Sequence, residues 1–126
     1  MLRKTAVFIT ASGLFWASAL AQQPAREAQE MIWVDRAGKV LGTVGDEQRV
    51  MYYPRLSPDG RFIAVSALGE DGSQGGRNIW VHDVEQGTKR PVTFSKGNDN
   101  FPVWSPDGKK IAFTSSRSGT YQIHLL

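Results

Sequence analysis

The chain has 126 residues, no cysteine and a formal net charge of +3, and 40% of its residues are hydrophobic. That length is enough for one modest domain. The absence of cysteine excludes disulfide cross-links and thiolate metal sites, and the interspersed charges form no basic block that would predict a nucleic-acid partner.

Residues 1–21 have the pattern of a secretory signal peptide. Arg3 and Lys4 form a basic start, residues 5–20 carry no charge, and "ALA" at 19–21 places small side chains where a signal peptidase cuts. The alternative is an uncleaved membrane anchor, but this apolar run is shorter than the roughly 20 residues that span a bilayer. We therefore predict a cleaved signal, no membrane span in the mature protein, and a periplasmic or secreted location.

Residues 22–30 are polar and are predicted to form a linker. From there to residue 126, short apolar segments alternate with Gly, Asp, Asn and Pro. No helical periodicity extends beyond two turns, so the chain is predicted to be all-β. The first segments are "MIWVD" at 31–35, which predicts a strand, and "RAGKVLGTV" at 36–44, which predicts a turn and a further strand.

A nonapeptide occurs twice in nearly the same form, as "PRLSPDGRF" at 54–62 and "PVWSPDGKK" at 102–110, 48 residues apart. Its central Ser-Pro-Asp-Gly has one turn role for each residue. Serine bonds the backbone, proline presets φ, aspartate suits the third position, and glycine takes the positive φ of a bulged hairpin. Apolar segments flank both copies, so we predict two equivalent β-hairpins.

The segments that follow the two turns alternate in side-chain size. One face carries Ile63, Val65 and Ala67 in the first copy and Ile111 and Phe113 in the second, and it is the bulkier one. The other face carries the small residues Ala64, Ser66, Ala112 and Thr114. A sheet with one bulky and one small face fits between two other sheets, because the small face allows close approach. Stacked sheets are therefore predicted.

Further strands are predicted at 78–81 ("NIWV"), within 84–94 after a turn, and at 122–125 ("QIHL"). Each repeat is then a hairpin, a third strand and a fourth strand in roughly 40–50 residues, which is the period of a β-propeller blade. The predicted repeats are residues 31–50, 51–97 and 98–126. They contain two, four and three strands, so the sequence predicts about two four-stranded antiparallel blades of an incomplete propeller.

Residues 31–126 resemble the β-propeller repeats of the periplasmic TolB family. The likeness is carried by "PVWSPDGKKIAFTSS" at 102–116, and the first copy departs from that pattern at Leu56 and Val65, which are both apolar. Similar repeats occur in arrays of some large bacterial kinases and in the propeller of prolyl-oligopeptidase-like peptidases. The resemblance implies a propeller fold, and it implies a protein-binding role in the Tol–Pal system of the Gram-negative envelope as one of several functions.

Two blades leave apolar faces and sheet edges uncovered, since closed propellers have roughly four to eight blades. Three explanations remain open: a truncated fragment, a ring of several copies that self-associate to complete a propeller, and an open stack of sheets. We favour the fragment because residues 122–126 form a strand without its fourth-strand neighbour.

No residue is assigned a catalytic, cofactor-binding or metal-binding role, and no cofactor is predicted. The chain has no nucleophile elbow, P-loop, zinc-protease or dinucleotide motif. His82 and His124 are not equivalent in the repeat and are predicted to lie on strand surfaces. Asp59 and Asp107 are assigned to their turns rather than to a carboxylate pair or a calcium site.

The Gly-rich segment 68–78 is predicted to be a flexible loop that contacts partners rather than a phosphate cradle, because a strand follows it. Segment 96–100 is predicted to connect two blades. Aromatic residues at repeat-equivalent positions are predicted to pack between blades rather than to form a ligand platform. They are Trp33, Trp80, Trp104, Tyr53, Phe101 and Phe113.

The signal pattern predicts export, the missing motifs favour a non-catalytic module, and the resemblance to the TolB family implies a binding role with a protein partner. The alternative is the non-catalytic propeller portion of a prolyl-oligopeptidase-like peptidase or of a larger bacterial sensor or kinase protein. A truncated remnant is the third possibility.

Overall fold

The structure, a computed structural model, describes residues 28–69 and 75–126. The predicted signal peptide at 1–21 lies outside these ranges, as do residues 22–27 of the predicted linker. The described residues form nine strands and no helix, in three antiparallel sheets of two, four and three strands. No helix that could cross a membrane therefore occurs within the two ranges.

The strands follow one another along the chain, and each sheet is built from consecutive strands. The first sheet contains β1 (Ala28–Val34) and β2 (Val40–Arg49); the second contains β3 (Met51–Leu56), β4 (Phe62–Ala67), β5 (Asn78–Asp83) and β6 (Lys89–Pro91); the third contains β7 (Asp99–Trp104), β8 (Ile111–Ser115) and β9 (Gln122–Leu125). This confirms the all-β, blade-like architecture with one complete four-stranded blade. β1 begins three residues earlier than expected, because Ala28 and Gln29 pair with Arg49 and Gln48.

The two Ser-Pro-Asp-Gly turns have the predicted conformation. In the first, the Gly60 amide donates to the Ser57 carbonyl at 2.9 Å, and Gly60 has φ 73°. The Ser57 hydroxyl donates to Asp59 at 2.6 Å and accepts the Phe62 amide at 2.9 Å. Residues 105–110 repeat every one of these bonds. The sequence signature therefore fixes both hairpins locally.

The second sheet is packed between the other two, and its two faces are those that the alternation predicts. Its bulky face packs on the first sheet, and its small face packs on the bulky face of the third sheet. The first interface, between the first and second sheets, buries Val44, Ile63, Val65, Ala67 and Trp80. The second interface, between the second and third sheets, buries Ala64, Ile79, Val81, Ile111 and Phe113.

When β1 is aligned with β5 by structure, the alignment differs by one residue from the one that their similar sequences suggest. Asp35 and Asp83 each open the turn that follows the third strand, since the amide of Asp35 bonds Lys39 and that of Asp83 bonds Thr88. Counting back from these aspartates, Trp33 matches Val81 and not Trp80. The expectation that the tryptophans of β1 and β5 are repeat-equivalent is therefore wrong.

Candidate functional site

β3 and β7 are the first strands of the second and third sheets, and each lies at an edge of its sheet. We call them the inner strands, and they share an unusual backbone feature. The pairing register slips between Tyr52 and Arg55 in β3, and at the equivalent place in β7. In each bulge an aromatic residue precedes a proline. That aromatic residue has a positive φ, which is 56° for Tyr53 and 55° for Phe101. Bulky residues rarely take this conformation, so the same strain is built into both repeats.

These bulges bring aromatic side chains together on one surface. The rings of Tyr53 and Phe101 lie 4.1 Å apart between centroids, and those of Tyr52 and Tyr53 lie 5.9 Å apart. The guanidinium carbon of Arg77 lies 5.2 Å from the centroid of the Tyr52 ring. Tyr52, Tyr53 and Phe101 are 41%, 37% and 49% exposed. We call Tyr52, Tyr53, Arg77 and Phe101 the inner-edge aromatic surface.

A buried polar cluster holds β7 beside β4 and so fixes the position of Phe101. The Ser66 hydroxyl donates to the Asp99 carbonyl at 2.6 Å and bonds the Asn100 side chain at 3.0 Å. The fully buried Asp99 carboxylate accepts from Ser95 and Arg117, both at 3.0 Å. This cluster was not predicted from the sequence, although the polar "ND" at 98–99, directly before an apolar strand, is a signal for it.

At the other end of the inner strands, Trp104 joins the second and third sheets. Its indole nitrogen donates to the Arg55 carbonyl at 2.9 Å, and its ring stacks near Phe62 at 6.5 Å. Leu56 stands at the equivalent position of the first copy and is exposed. The inner-edge aromatic surface is thus held from both ends of β7.

The six repeated aromatic residues have different environments. Trp80 and Phe113 are buried in the first and second interfaces, and Trp104 packs against the second interface. The packing prediction is correct for these three. Tyr53 and Phe101 also touch across sheets, but they remain exposed to solvent. Trp33 is exposed as well and belongs to neither buried core cluster.

His82 is fully buried in the first interface, so its predicted strand-surface position is wrong. Its Nε2 lies 3.1 Å from the Gln48 side-chain oxygen, and its Nδ1 has no partner. Burial lowers the pKa of His82 to about 4, with a further contribution from the Lys89 charge. The register explains the burial, because His82 pairs with Ile63 and shares its face.

His124 is also not a simple surface residue. Its ring stacks on Phe113 with centroids 5.7 Å apart, and its Nε2 is buried without a partner. Within the described ranges, no group of three or more histidine, aspartate or glutamate side chains is placed to hold a metal ion.

Asp59 and Asp107 each bond within their own turns. The serine hydroxyl two residues earlier donates to each carboxylate and lowers its pKa below the ordinary value. Backbone amides of Arg61 and Lys109 donate to the same carboxylates at 3.1 Å. This is the predicted turn chemistry.

The Gly-rich segment is only partly described, since residues 70–74 lie outside the described ranges. Its end packs tightly, because a β-carbon at Gly76 would collide with the Gly97 carbonyl, and the Arg77 amide donates to the Asn98 side chain at 3.1 Å. The segment leads into β5, not into a helix. The blade connection is shorter than predicted, because residues 99 and 100 already belong to β7.

The stacked sheets and repeated hairpins agree with comparisons against known proteins. The family model of the TolB beta propeller domain (PD40) matches residues 25–126. The chain belongs to this TolB beta propeller family.

Relatives of this TolB-type chain differ in what their names say. The Tol-Pal system protein TolB of Alcanivorax borkumensis is 31% identical over 90 residues, which cover 71% of this chain and 20% of that protein. YuxL of Bacillus subtilis, named as an uncharacterized peptidase, is 34% identical over 68 residues, which cover 52% of this chain and 10% of YuxL.

A solved structure from Agrobacterium tumefaciens, assigned as TolB, has the same fold. It matches with a TM-score of 0.56 and 30% identity, over 63% of this chain and 27% of the other. The TolB-type chain therefore spans less than a third of the length of each of these three relatives.

Proposed function

We propose that this chain is a non-catalytic, exported binding module that engages a protein partner through the inner-edge aromatic surface. The observation that carries the proposal is the contact between Tyr53 and Phe101. Both residues are exposed, both are held at positive φ, and they come from equivalent places in two repeats. Backbone strain that recurs at one site is typical of functional surfaces.

The chemistry of the surface favours a protein ligand. Exposed tyrosine, phenylalanine and arginine side chains are enriched in the contacts that dominate protein interfaces. Pro54 and Pro102 lack an amide hydrogen and stand at bulges in the two inner strands. An added partner strand would find an interrupted hydrogen-bond ladder there, so side chains would make the recognition.

The relatives support a location in the bacterial envelope. One of them is named as the Tol-Pal system protein TolB, and residues 1–21 have the sequence pattern of a secretory signal. A periplasmic or secreted location is therefore part of the proposal, with a protein of the envelope as the partner.

Site-specific photo-crosslinking in a Gram-negative host tests this function. A benzophenone amino acid replaces Tyr53 or Phe101 in turn, and a third variant carries it at the exposed Phe94, outside the inner-edge aromatic surface. We expect one and the same envelope protein to be crosslinked from positions 53 and 101 and not from 94. Equal crosslinking from all three positions, or none from 53 and 101, contradicts the proposal.

The similarity to YuxL favours a second function, the non-catalytic propeller portion of a peptidase. The genomic DNA that follows the gene distinguishes the two. A downstream frame with an α/β-hydrolase domain and a G-x-S-x-G motif supports the peptidase, whereas further Ser-Pro-Asp-Gly repeats alone support the binding module. The same downstream DNA sequence tests the larger sensor or kinase protein, which requires a sensor or kinase domain in the continuing frame.

A further inference from the structure

The first interface is only partly filled. The first sheet has two strands, whereas the face of the second sheet that it covers belongs to four. Beside β1 an open groove of about 620 Å³ remains. It is mainly apolar, and the residues on which the argument depends are Met31, Trp33, Met51, Leu56, Ile63 and Val65.

This groove is continuous with the buried core of the first interface. Val44, Ile63 and Val65 belong to that core and also line the groove. At the second interface the equivalent space is filled, because the small face of β4 packs there on Ile111 and Phe113. β1 and β2 are the third and fourth strands of a blade. The groove therefore has the position of the first and second strands of that blade, with their small face towards Ile63 and Val65.

The chain contains a second hairpin of that kind. β7 and β8 are equivalent to β3 and β4, and the outer face of β8 carries the small residues Ala112 and Thr114. We propose that the β7–β8 hairpin of a second copy of this chain occupies the groove and that its β8 pairs with β1. The resulting blade has two strands from each copy.

The repeat predicts the register of this contact. In the second sheet Phe62 pairs with Asp83, and Ala67 pairs with Asn78. The residue in β8 that is equivalent to one in β4 has a number higher by 48, and the residue in β1 that is equivalent to one in β5 has a number lower by 48. The predicted pairs are therefore Lys110 with Asp35 and Ser115 with Glu30.

The charges in this register are complementary. Lys110 faces the acidic Asp35, and Glu30 lies opposite Ser115, two residues from Arg117. The side chains of Lys110 and Glu30 are exposed, whereas Arg117 already binds Asp99. Opposite charges across neighbouring strands favour the pairing.

β9 must leave β8 to make room. It has four residues, its Ile123 and Leu125 side chains are 81% and 65% exposed, and none of its residues belongs to a buried core cluster. β1 and β9 are both third strands, so β1 of one copy replaces β9 of the other. Exchange of an equivalent element is a low-cost route to association.

The contact is head-to-tail, so a ring adds two complete blades with each copy. Closed propellers have roughly four to eight blades, which corresponds to rings of two to four copies.

Engineered cysteines test the register, because the chain has none of its own. The repeat pairs Thr114 with Met31, as Ser66 pairs with Ile79. We expect the double variant Thr114→Cys, Met31→Cys to form disulfide-linked oligomers that run as monomers after reduction. The control is Thr114→Cys with Phe94→Cys, since Phe94 is 79% exposed and outside the proposed contact.

Light scattering of the unmodified chain supplies the second measurement. We expect particles of two or more copies, and we expect Lys110→Glu to weaken their association roughly fivefold, with Lys109→Glu as the matched control. A monomer at high concentration overturns the proposal. So does an oligomer in which the control pair crosslinks as well as the test pair, or in which neither pair does.

Discussion

The two interfaces of the second sheet are built from the same repeat, but they are closed by different means. The second interface combines a continuous apolar core with polar contacts from the Asp99 cluster and from Trp104. The first interface has an apolar core beside an open groove. Its main buried polar contact joins His82 to Gln48, and Lys89 pairs with Asp46 at 3.2 Å nearer the surface.

This difference distinguishes the role of the apolar residues in the repeat from the role of its polar residues. Apolar alternation is enough to place sheets face to face, and it operates at both interfaces. The polar contacts determine how firmly each pair of sheets is held, and they differ because they depend on single residues that the repeat does not conserve between its copies: Asp99 has Met51 as its counterpart. Three experiments test this separation.

The largest effect is expected from Asp99→Ala in the second interface. It removes a fully buried carboxylate that accepts bonds from Ser95 and Arg117. Each hydrogen bond to a charged group contributes about 1.5–3 kcal/mol to the free energy of unfolding, and Asp99→Ala loses both. Urea unfolding measures this loss.

Arg117→Ala is the companion variant, because it remains measurable if Asp99→Ala does not fold. Arg117 is itself partly exposed, but its removal leaves the fully buried Asp99 carboxylate without its cation, so it is also expected to lower the free energy of unfolding. An Asp99→Ala protein as stable as the unmodified chain would show that the cluster does not hold the second interface.

The next effect is a pH dependence that arises in the first interface. The folded pKa of His82 is about 4, below its ordinary value of 6.5. The unfolded chain therefore binds a proton between these two values while the folded protein does not, and stability falls as the pH is lowered from 6.5 to 4. The loss is on the order of 2–3 kcal/mol.

Denaturant titrations at a series of pH values measure this slope, with His82→Gln as the control. The variant cannot titrate there and is expected to lose the slope between pH 6.5 and 4. If the unmodified protein and His82→Gln show the same slope, His82 is not the group responsible.

The smallest effect compares two matched core isoleucines. Ile63 and Ile111 occupy equivalent positions on their strands and are equally buried, but Ile63 borders the groove. Truncation to alanine leaves a cavity, and the cost depends on how far the surroundings can relax. We expect Ile111→Ala to cost about 1–2 kcal/mol more than Ile63→Ala, measured by thermal unfolding at low protein concentration. Equal losses would mean that both interfaces are equally tight.

Much of the fold was predictable because its determinants are local. The Ser-Pro-Asp-Gly turns need only their own four residues, and the alternation after each turn assigns Ile63 and Ala64 to opposite faces. The strand number followed from the same signals. The offset of β1 was not predictable, because Trp33 and Trp80 look equivalent until the turns after their strands are aligned through Asp35 and Asp83.

The candidate site was less accessible from the sequence. Tyr53 and Phe101 were identified as repeated aromatic residues, but their exposure depends on β-bulges that no local sequence motif predicts. His82 was misplaced because a polar residue at the end of a strand suggests a solvent-facing side chain, whereas pairing with Ile63 turns it inward. Contacts between residues far apart in sequence decided both outcomes.

The hydroxyl of Ser66 holds the main chain of Asp99, 33 residues further along the chain. Some of the contacts between neighbouring sheets thus span less than one repeat. Ordering each new sheet then requires closure of a modest loop, whose entropy grows only slowly with length. Structure is accordingly expected to spread from one sheet to the next, as in other tandem arrays, with the pair joined by Ser66 forming first and serving as the template on which the remaining strands assemble.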